Sequence, residues 1–241
     1  MKYFVATGGP HWIVETEIVD VSDPARSCSL EDISHRLGSV GGLLETAPVI
    51  CGGMGGGVGS GFRNDCLLYG TSKVITMNTK RFESSSVTIN STMIWVLGGL
   101  NSGNELDSSE FITEYGTKNG PSLPEAVRSS CAVKFIETGD VYLVGGRTST
   151  EAAIKNVWLA NPSNDFTFTQ GPSLITSREA HGCGTMSIGA KSIIVAAGGM
   201  DSSIFPGYIT SVEILDPPSK QWIAGILLTG APNYGGSPAH Q

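Results

Sequence analysis

A glycine pair that follows an apolar run recurs five times along the 241-residue chain. The pairs are Gly8-Gly9 (FVATGG), Gly52-Gly53 (PVICGG), Gly98-Gly99 (MIWVLGG), Gly145-Gly146 (DVYLVGG) and Gly198-Gly199 (IIVAAGG). Successive pairs lie 44, 46, 47 and 53 residues apart. A period of about 40 to 50 residues is the length of one four-stranded propeller blade. The sequence therefore predicts one all-β domain built from repeated units.

Composition limits both the architecture and the classes of partner. The chain has 32 glycines, 12 prolines and 15% charged residues, which suits short strands joined by many turns. Its net charge is −7 and its basic residues form no cluster, so nucleic acid and anionic membrane surfaces are not expected partners. No apolar run approaches the roughly 18 residues that a membrane-spanning helix needs.

Each repeat is predicted to contain four strands, a to d, with the glycine pair closing strand b. In the last repeat they span 179–188, 191–197, 211–215 and 221–227, and in the repeat before it 131–136, 141–144, 157–160 and 166–169. The two middle repeats place them at 39–44, 48–51, 66–69 and 74–77, and at 84–89, 93–97, 110–115 and about 119–120. The first repeat has strand b before its glycine pair, c at 18–21 and d at 27–30, but no strand a. Residues 233–239 offer the missing strand.

The last repeat resembles the kelch repeat. It has a glycine pair after an apolar strand, then Ser211-Val212-Glu213-Ile214, then Trp222. The resemblance covers nearly the whole chain and implies a single kelch-type β-propeller domain over 1–241, with repeats at about 1–35, 36–82, 83–126, 127–177 and 178–228. It implies about five four-stranded blades, the first either completed by a strand from 229–241 or incomplete. Kelch propellers usually have more blades, which leaves open whether this is a small ring or part of a longer chain.

The stretch CGGMGGGVGSG at 51–61 has seven glycines and raises the alternative of a phosphate-binding loop. No register of it gives Gly-x-Gly-x-x-Gly, no Gly-Lys-Ser or Gly-Lys-Thr follows, and the next residues predict a strand rather than a helix. We therefore interpret it as a repeat corner followed by a flexible loop. The paired glycines allow a positive φ and a close backbone approach where strand b ends.

Antiparallel order predicts that the b-to-c loops and the d-to-a links emerge on one face, where binding residues usually lie. Two links begin with Gly-Pro-Ser-Leu (120–123 and 171–174) and continue to an arginine and then a cysteine, Arg128 with Cys131 and Arg178 with Cys183. Arginine and exposed aromatic residues are enriched in interface hot spots. The candidate partner-binding residues are Arg36, Arg63, Arg128, Arg147, Arg178, Trp12 and Tyr208. For Arg36, Arg128 and Arg178, which recur in phase, pairing with a neighbouring blade is the alternative.

The predicted function is non-catalytic binding of another protein or an acidic peptide through this face. Kelch domains often serve as substrate receptors of ubiquitin ligases, beside a BTB domain, or bind cytoskeletal proteins, and the resemblance implies such roles. The alternative is a kelch-like propeller enzyme such as a metal-dependent oxidase. The four histidines are scattered without metal-ligand spacing and no Gly-x-Ser-x-Gly elbow occurs, so we expect no catalytic residue, cofactor or metal.

Five cysteines permit at most two disulfides. Cys131 and Cys183 share a register in adjacent strands a, where a buried small side chain is the usual interpretation. Cys28 and Cys66 allow a disulfide between the first two blades, and Asn90-Ser91-Thr92 fits the glycosylation pattern. The beginning MKYFVATGG predicts a strand and not a secretory leader. The compartment stays open: cytoplasmic for the chain as it stands, secreted if it belongs to a longer protein.

Overall fold

A computed structural model describes residues 3–7, 16–20, 28–30, 36–55, 61–150, 152–189, 191–204 and 207–228, with side chains described from Arg36 onward. The first sheet comprises β1 (Tyr3–Thr7), β2 (Thr16–Asp20) and β3 (Cys28–Leu30), paired antiparallel in that order. A short ribbon pairs β4 (Arg36–Leu37) with β7 (Met54–Gly55). Another pairs β12 (Leu100–Asn101) with β13 (Asn104–Glu105).

Four antiparallel sheets of four strands follow, each paired in chain order, and we call them blades 2 to 5. Blade 2 is β5 (Val40–Leu44), β6 (Ala47–Cys51), β8 (Asp65–Leu68) and β9 (Val74–Thr76). Blade 3 is β10 (Ser85–Asn90), β11 (Met93–Leu97), β14 (Ser109–Thr113) and β15 (Gly116–Asn119). Blade 4 is β16 (Cys131–Lys134), β17 (Val141–Val144), β18 (Val157–Ala160) and β19 (Phe168–Gln170). Blade 5 is β20 (Gly182–Ile188), β21 (Lys191–Ala197), β22 (Ser211–Asp216) and β23 (Gln221–Leu227).

The predicted strand order is confirmed in all four blades, and five predicted strands have the observed bounds: β11, β17, β18, β21 and β23. The largest differences lie at the c-to-d turns. In blade 3, β14 ends at Thr113, before the predicted 115, and a two-residue turn leads into β15, which begins at Gly116, before the predicted 119–120. In blade 4, a 3-10 helix at Pro162–Asn164 and positive φ at Asp165 and Phe166 prolong the turn, so β19 begins later than predicted. A second such helix, Pro217–Ser219, forms the same turn in blade 5.

The first sheet has the three strands predicted as b, c and d. The strand a predicted from the C-terminal segment 229–241 lies outside the described residues, as do Gly8 and Gly9.

Three apolar layers lie between consecutive blades. The layer between blades 2 and 3 includes Val49, Cys66, Ile94 and Ile112, and the layer between blades 3 and 4 includes Trp95, Leu97, Leu143 and Ala160. The layer between blades 4 and 5 includes Val144, Val157, Ile194 and Trp222. Alternate residues of β11 thus face opposite neighbours, Ile94 toward blade 2 and Trp95 toward blade 4. A strand buried on both faces must be apolar throughout, which explains why strand b is a continuous apolar run.

The glycine pairs hold each blade close to the next one. A Cβ on the first glycine would lie 2.7 Å from the Arg81 carbonyl oxygen at Gly52, 2.3 Å from that of Val127 at Gly98, and 2.6 Å from that of Arg178 at Gly145. Each of these carbonyls belongs to the link that enters the next blade.

The second glycine of each pair donates its N–H to that same carbonyl, over 2.7 Å from Gly53 to Arg81, 2.8 Å from Gly99 to Val127 and 2.9 Å from Gly146 to Arg178. Both glycines of every described pair have positive φ. The structural role predicted for the pairs therefore has two parts, a left-handed backbone and a contact with no room for a side chain.

The four cysteines whose side chains are described form two disulfides, Cys51–Cys66 and Cys131–Cys183. Cys51 and Cys66 face each other across β6 and β8, so Cys66 is not available for the bond to Cys28 that the sequence left open. The predicted shared register of Cys131 and Cys183 is wrong, because Cys131 is the first residue of β16 and Cys183 the second residue of β20. They are covalently joined and are not free buried thiols. The link spans 52 residues, and a closed loop of that size removes chain entropy worth about 4 kcal/mol from the unfolded state.

We expect Gly98→Ala to lower the free energy of unfolding by several kcal/mol more than Gly103→Ala. Both glycines have positive φ, +59° and +86°, so both variants incur a left-handed cost of about 1–2 kcal/mol. Only Gly98 has a carbonyl where Cβ must go, whereas Gly103 has open space. Urea unfolding of the two variants measures the difference. Equal losses would show that φ alone explains the repeat glycines.

Candidate binding surface

Every strand b ends at its glycine pair, so the b-to-c loops and the d-to-a links emerge at the same end of the blades. We call this end the loop face. Backbone bridges join each link to the residue after the glycine pair of the same blade: Phe82 to Leu100, Arg128 to Arg147, and Glu179 to Met200. Links and loops therefore form one continuous surface, as antiparallel order predicts.

A chain of backbone hydrogen bonds crosses the loop face from blade to blade. Glu83 donates its N–H to the Gly38 carbonyl at 2.9 Å, Ser129 to Glu83 at 2.9 Å, and Ala180 to Ser129 at 2.8 Å. All four residues have φ between +50° and +60°, although three of them carry side chains. A left-handed residue at each blade entry costs free energy, so the surrounding bonds must fix it. The loop face is therefore built on a rigid backbone frame.

Arg36 and Arg178 do not belong to the exposed surface, and their prediction as partner-binding residues is wrong. They are only 4% and 0% exposed. Arg178 donates to the carbonyls of Gly198 and Ser211 and to Glu213 Oε1, the last at 2.7 Å. These bonds lie inside the blade that the arginine enters, so they tie the link to strands b and c. Both arginines are therefore structural, but each one pairs with groups of its own blade and not with a neighbouring blade.

The third arginine of this kind is Arg81, which sequence reasoning missed. It is 1% exposed and donates to the carbonyls of Gly98 and Ser108 and to Glu110 Oε1. Burial lowers the pKa of Arg81, and the Glu110 carboxylate opposes this. Arg36, Arg81 and Arg178 each stand four residues before strand a, whereas Arg128 stands three before it and Val127 holds the equivalent place. That spacing is the signal that would have separated Arg128 from the buried set.

The carboxylates that face these arginines also hold the links. Glu110 accepts the backbone N–H groups of Asn78 and Thr79 at 2.6 and 3.0 Å. Glu213 accepts those of Ile175 and Thr176 at 2.7 and 2.9 Å. Glu213, the glutamate of the Val-Glu-Ile strand, is therefore structural, because its carboxylate accepts hydrogen bonds from two backbone N–H groups of the link and from one arginine.

Arg63 lies at the blade 2 end of the loop face. Its guanidinium pairs with both carboxylate oxygens of Asp65, each at 2.9 Å, and its side chain is 38% exposed. Burial alone would raise the pKa of Asp65, but the hydrogen bonds and charges of Arg63 and Arg36 outweigh it and hold the pKa at about 2. Trp12, another candidate partner-binding residue, lies outside the described residues.

Arg128 and Arg147 lie together on the loop face between blades 3 and 5. Their backbones exchange two hydrogen bonds of 3.0 and 2.9 Å. Arg128 pairs with Glu83 at 2.6 Å and with Glu105 at 3.4 Å, and Arg147 lies 3.7 Å from Glu179. The Arg147 side chain is 36% exposed. Two arginines and three glutamates therefore form a mixed-charge group, and not the purely basic mouth that the arginines alone predict.

Tyr208 adjoins this group through the backbone of blade 5. It bridges to Met200, which in turn bridges to Glu179. The Glu179 carboxylate accepts a 2.9 Å bond from Ser202 Oγ. Burial raises the pKa of Glu179, and the Ser202 hydrogen bond and the charges of Arg147 and Arg128 only partly offset this. We call Arg128, Arg147, Glu179, Ser202 and Tyr208 the rim cluster.

The rim cluster has apolar side chains beside it. Tyr208 is 43% exposed and Ile204, in the same loop, is 58% exposed. The loop is held by Asp201, whose carboxylate accepts bonds from Ser177 Oγ at 2.7 Å and Ser203 N at 2.9 Å. Tyr208 and Ile204 thus present an aromatic and an aliphatic side chain next to charged groups, which is the composition of a protein-binding surface.

His181 lies just beneath the loop face and is 2% exposed. Among the described residues, neither ring nitrogen has a hydrogen-bond partner. Burial first, and then the charge of Arg178, lower the pKa of His181 to about 3. The same place one residue before strand a is held by Ser39, Ser84 and Ser130 in the other blades. The buried imidazole is therefore neutral in the folded protein.

We expect stability to fall as the pH drops from 6.5 toward 3. The unfolded histidine takes up a proton near pH 6.5, while the folded one excludes it until about pH 3, so the free energy of unfolding decreases by at most about 1.4 kcal/mol per pH unit. His181→Ser, which restores the residue of the other blades, should flatten this dependence between pH 6.5 and 4. Urea unfolding at a series of pH values measures both slopes. Identical slopes would show that His181 does not carry the effect.

Within the described ranges, no three His, Cys, Asp or Glu side chains come together as a metal-binding group. In the same ranges, no helix is long and apolar enough to cross a membrane.

Comparison with known proteins identifies the fold. No protein-family model matches the chain, and no curated protein matches it. The solved structure of YjhT aligns with a TM-score of 0.75, covering 92% of this chain and 80% of YjhT at 10% sequence identity. At that identity the likeness concerns the fold alone. The chain has an all-β, β-propeller-like fold of antiparallel sheets.

Proposed function

We propose that this chain is a kelch-type β-propeller of about five blades that binds another protein through the rim cluster of its loop face. The observation that carries the proposal is that Arg128, Arg147 and Tyr208 lie on one surface. They are separated by up to 80 positions in the sequence. The sequence also leaves open a propeller enzyme, but no particular observation favours that alternative.

The charges of the rim cluster narrow the chemistry of the partner. An acidic peptide would have to displace Glu83, Glu105 and Glu179 from the two arginines. A partner segment with both charges and an apolar anchor fits better, because it can exchange ion pairs with the cluster and cover Tyr208 and Ile204. Substrate receptors of ubiquitin ligases and cytoskeletal binders both recognise protein surfaces, so either role is compatible with this proposal.

A closed ring completes the proposed architecture, with the first sheet and a strand from 229–241 forming the blade beside blade 5. Blade 5 turns Met186, Ile188 and Ile223 away from blade 4, and they are 53%, 60% and 58% exposed. Side chains of this kind are buried between the other blades. A neighbouring blade at this position would cover the apolar surface, and a strand from 229–241 paired with β1 would remove an open sheet edge.

Gly198 offers a test of the closed ring. Among the described residues nothing approaches its Cβ position closer than 3.6 Å, whereas the equivalent Gly98 meets the next blade's carbonyl at 2.3 Å. If the first sheet docks against blade 5, we expect Gly198→Ala to lower the free energy of unfolding as strongly as Gly98→Ala. A loss no larger than that of Gly103→Ala, measured by urea unfolding, would mean that no blade contacts Gly198.

Partner binding is tested by comparing the two faces of the protein. Partners recovered with the purified chain from cells that produce it are identified by mass spectrometry, and each affinity is then measured by calorimetry. We expect Arg147→Ala with Tyr208→Ala to weaken binding by about tenfold or more, the effect of losing hot-spot residues. Tyr115→Ala is the matched control, because Tyr115 is 91% exposed in the β14–β15 turn at the opposite end of the blades.

Two outcomes would contradict the proposed site. In one, the control variant weakens binding while the rim variant does not, which would move the site to the opposite face. In the other, the affinities of both variants equal that of the unmodified chain. Unfolding curves of each variant separate a lost contact from a lost fold.

A further inference from the structure

The sequence Asn90-Ser91-Thr92 occupies an exposed turn of blade 3. Asn90 ends β10, Met93 begins β11, and the three residues between the buried Ile89 and the partly buried Met93 are all exposed. It is the one place in the 241 residues with the pattern Asn-x-Ser/Thr in which x is not proline. An exposed turn next to two buried strands accommodates a bulky substituent without disturbing the core.

The turn holds the asparagine in one arrangement. Its Oδ1 accepts the backbone N–H and the hydroxyl of Thr92, both at 2.9 Å. Among the described residues no hydrogen bond uses Asn90 Nδ2, the atom to which a glycan would attach. The acceptor nitrogen therefore points out of the bonded turn, while the threonine completes the pattern.

The two disulfides are an independent observation about compartment. Cys51–Cys66 and Cys131–Cys183 connect side chains that are at most 3% exposed. Disulfides form and persist in oxidising compartments and are rare where thiols are kept reduced. N-linked glycosylation takes place on the same secretory route.

We propose that Asn90 is an N-glycosylation site and that this chain matures where its disulfides form. In the reaction, Asn90 Nδ2 forms a bond to C1 of the first sugar of a lipid diphosphate-linked oligosaccharide. The C1–oxygen bond to the diphosphate breaks, the lipid diphosphate leaves with the electron pair, and the amide loses a proton.

The position of Asn90 keeps such a glycan away from the loop face. The turn joins strand a to strand b, and strand b ends at the loop face, so the turn lies at the opposite end of blade 3. Tyr115, in the c-to-d turn, lies at that end as well. The glycan would cover this end of the blades and leave the rim cluster accessible. The proposed glycosylation of Asn90 does not depend on the proposed partner binding.

The first experiment examines the protein purified from the cells that produce it. Peptide mass spectrometry before and after enzymatic removal of N-glycans should find a glycan at Asn90, converted to aspartate on removal. The same maps should find both disulfides. A chain with reduced cysteines, or an oxidised chain with unmodified Asn90, overturns the proposal.

The second experiment sends the full chain through a eukaryotic secretory pathway behind an added cleavable leader. We expect one glycan on the unmodified chain and none on Asn90→Gln. The matched control is Tyr115→Asn combined with Asn90→Gln, because Gly116 and Thr117 complete the pattern at an equally exposed turn of the same blade. Glycosylation of that control without glycosylation of the unmodified chain would show that the Asn90 turn is not an acceptor.

Discussion

Each blade is held to the next by a carbonyl that reaches into the space left by a glycine. The carbonyl of the entering link sits where the first glycine would carry Cβ, and the second glycine donates a hydrogen bond to it. A side chain at the first glycine would separate the blades and break that bond. The apolar layers between blades depend on this distance, because strand b contributes to the layers on both of its sides. The glycine pair recurs once per blade because each contact between neighbouring blades requires it.

Buried ion pairs give the entries of blades 3 and 5 a defined position. Arg81 with Glu110, and Arg178 with Glu213, place a charge pair where the link crosses strands b and c, and the same glutamates accept backbone N–H groups of the link. Removing one partner of such a pair leaves a buried charge, which costs about 3–5 kcal/mol. The main effect of these ion pairs is therefore to fix the path of the link across strands b and c, and their net contribution to stability is smaller. Blade 4 replaces the arginine by Val127 and keeps the glycine contact.

The rigid frame has consequences for function. Left-handed residues at the blade entries are linked by backbone hydrogen bonds, and the rim cluster is built directly on them. A binding surface on such a frame loses little conformational entropy when a partner docks. The opposite end of the blades carries the tight turns, among them the exposed turn at Asn90. The proposed partner site and the proposed glycan site therefore lie at different ends of the same strands, so neither blocks the other.

The sequence by itself determined the period, the order of the strands and the role of the glycine pairs, because these depend on local patterns of apolar residues and on residues without Cβ. It also brought Arg128, Arg147 and Tyr208 into consideration. Only the tertiary structure decided which arginines are buried. Arg36 and Arg178 resemble Arg128 in the sequence, but a shift of one residue relative to strand a turns a side chain from the surface into the blade. Disulfide pairing was decided there too, because Cys51 and Cys66 meet only through the register of β6 with β8.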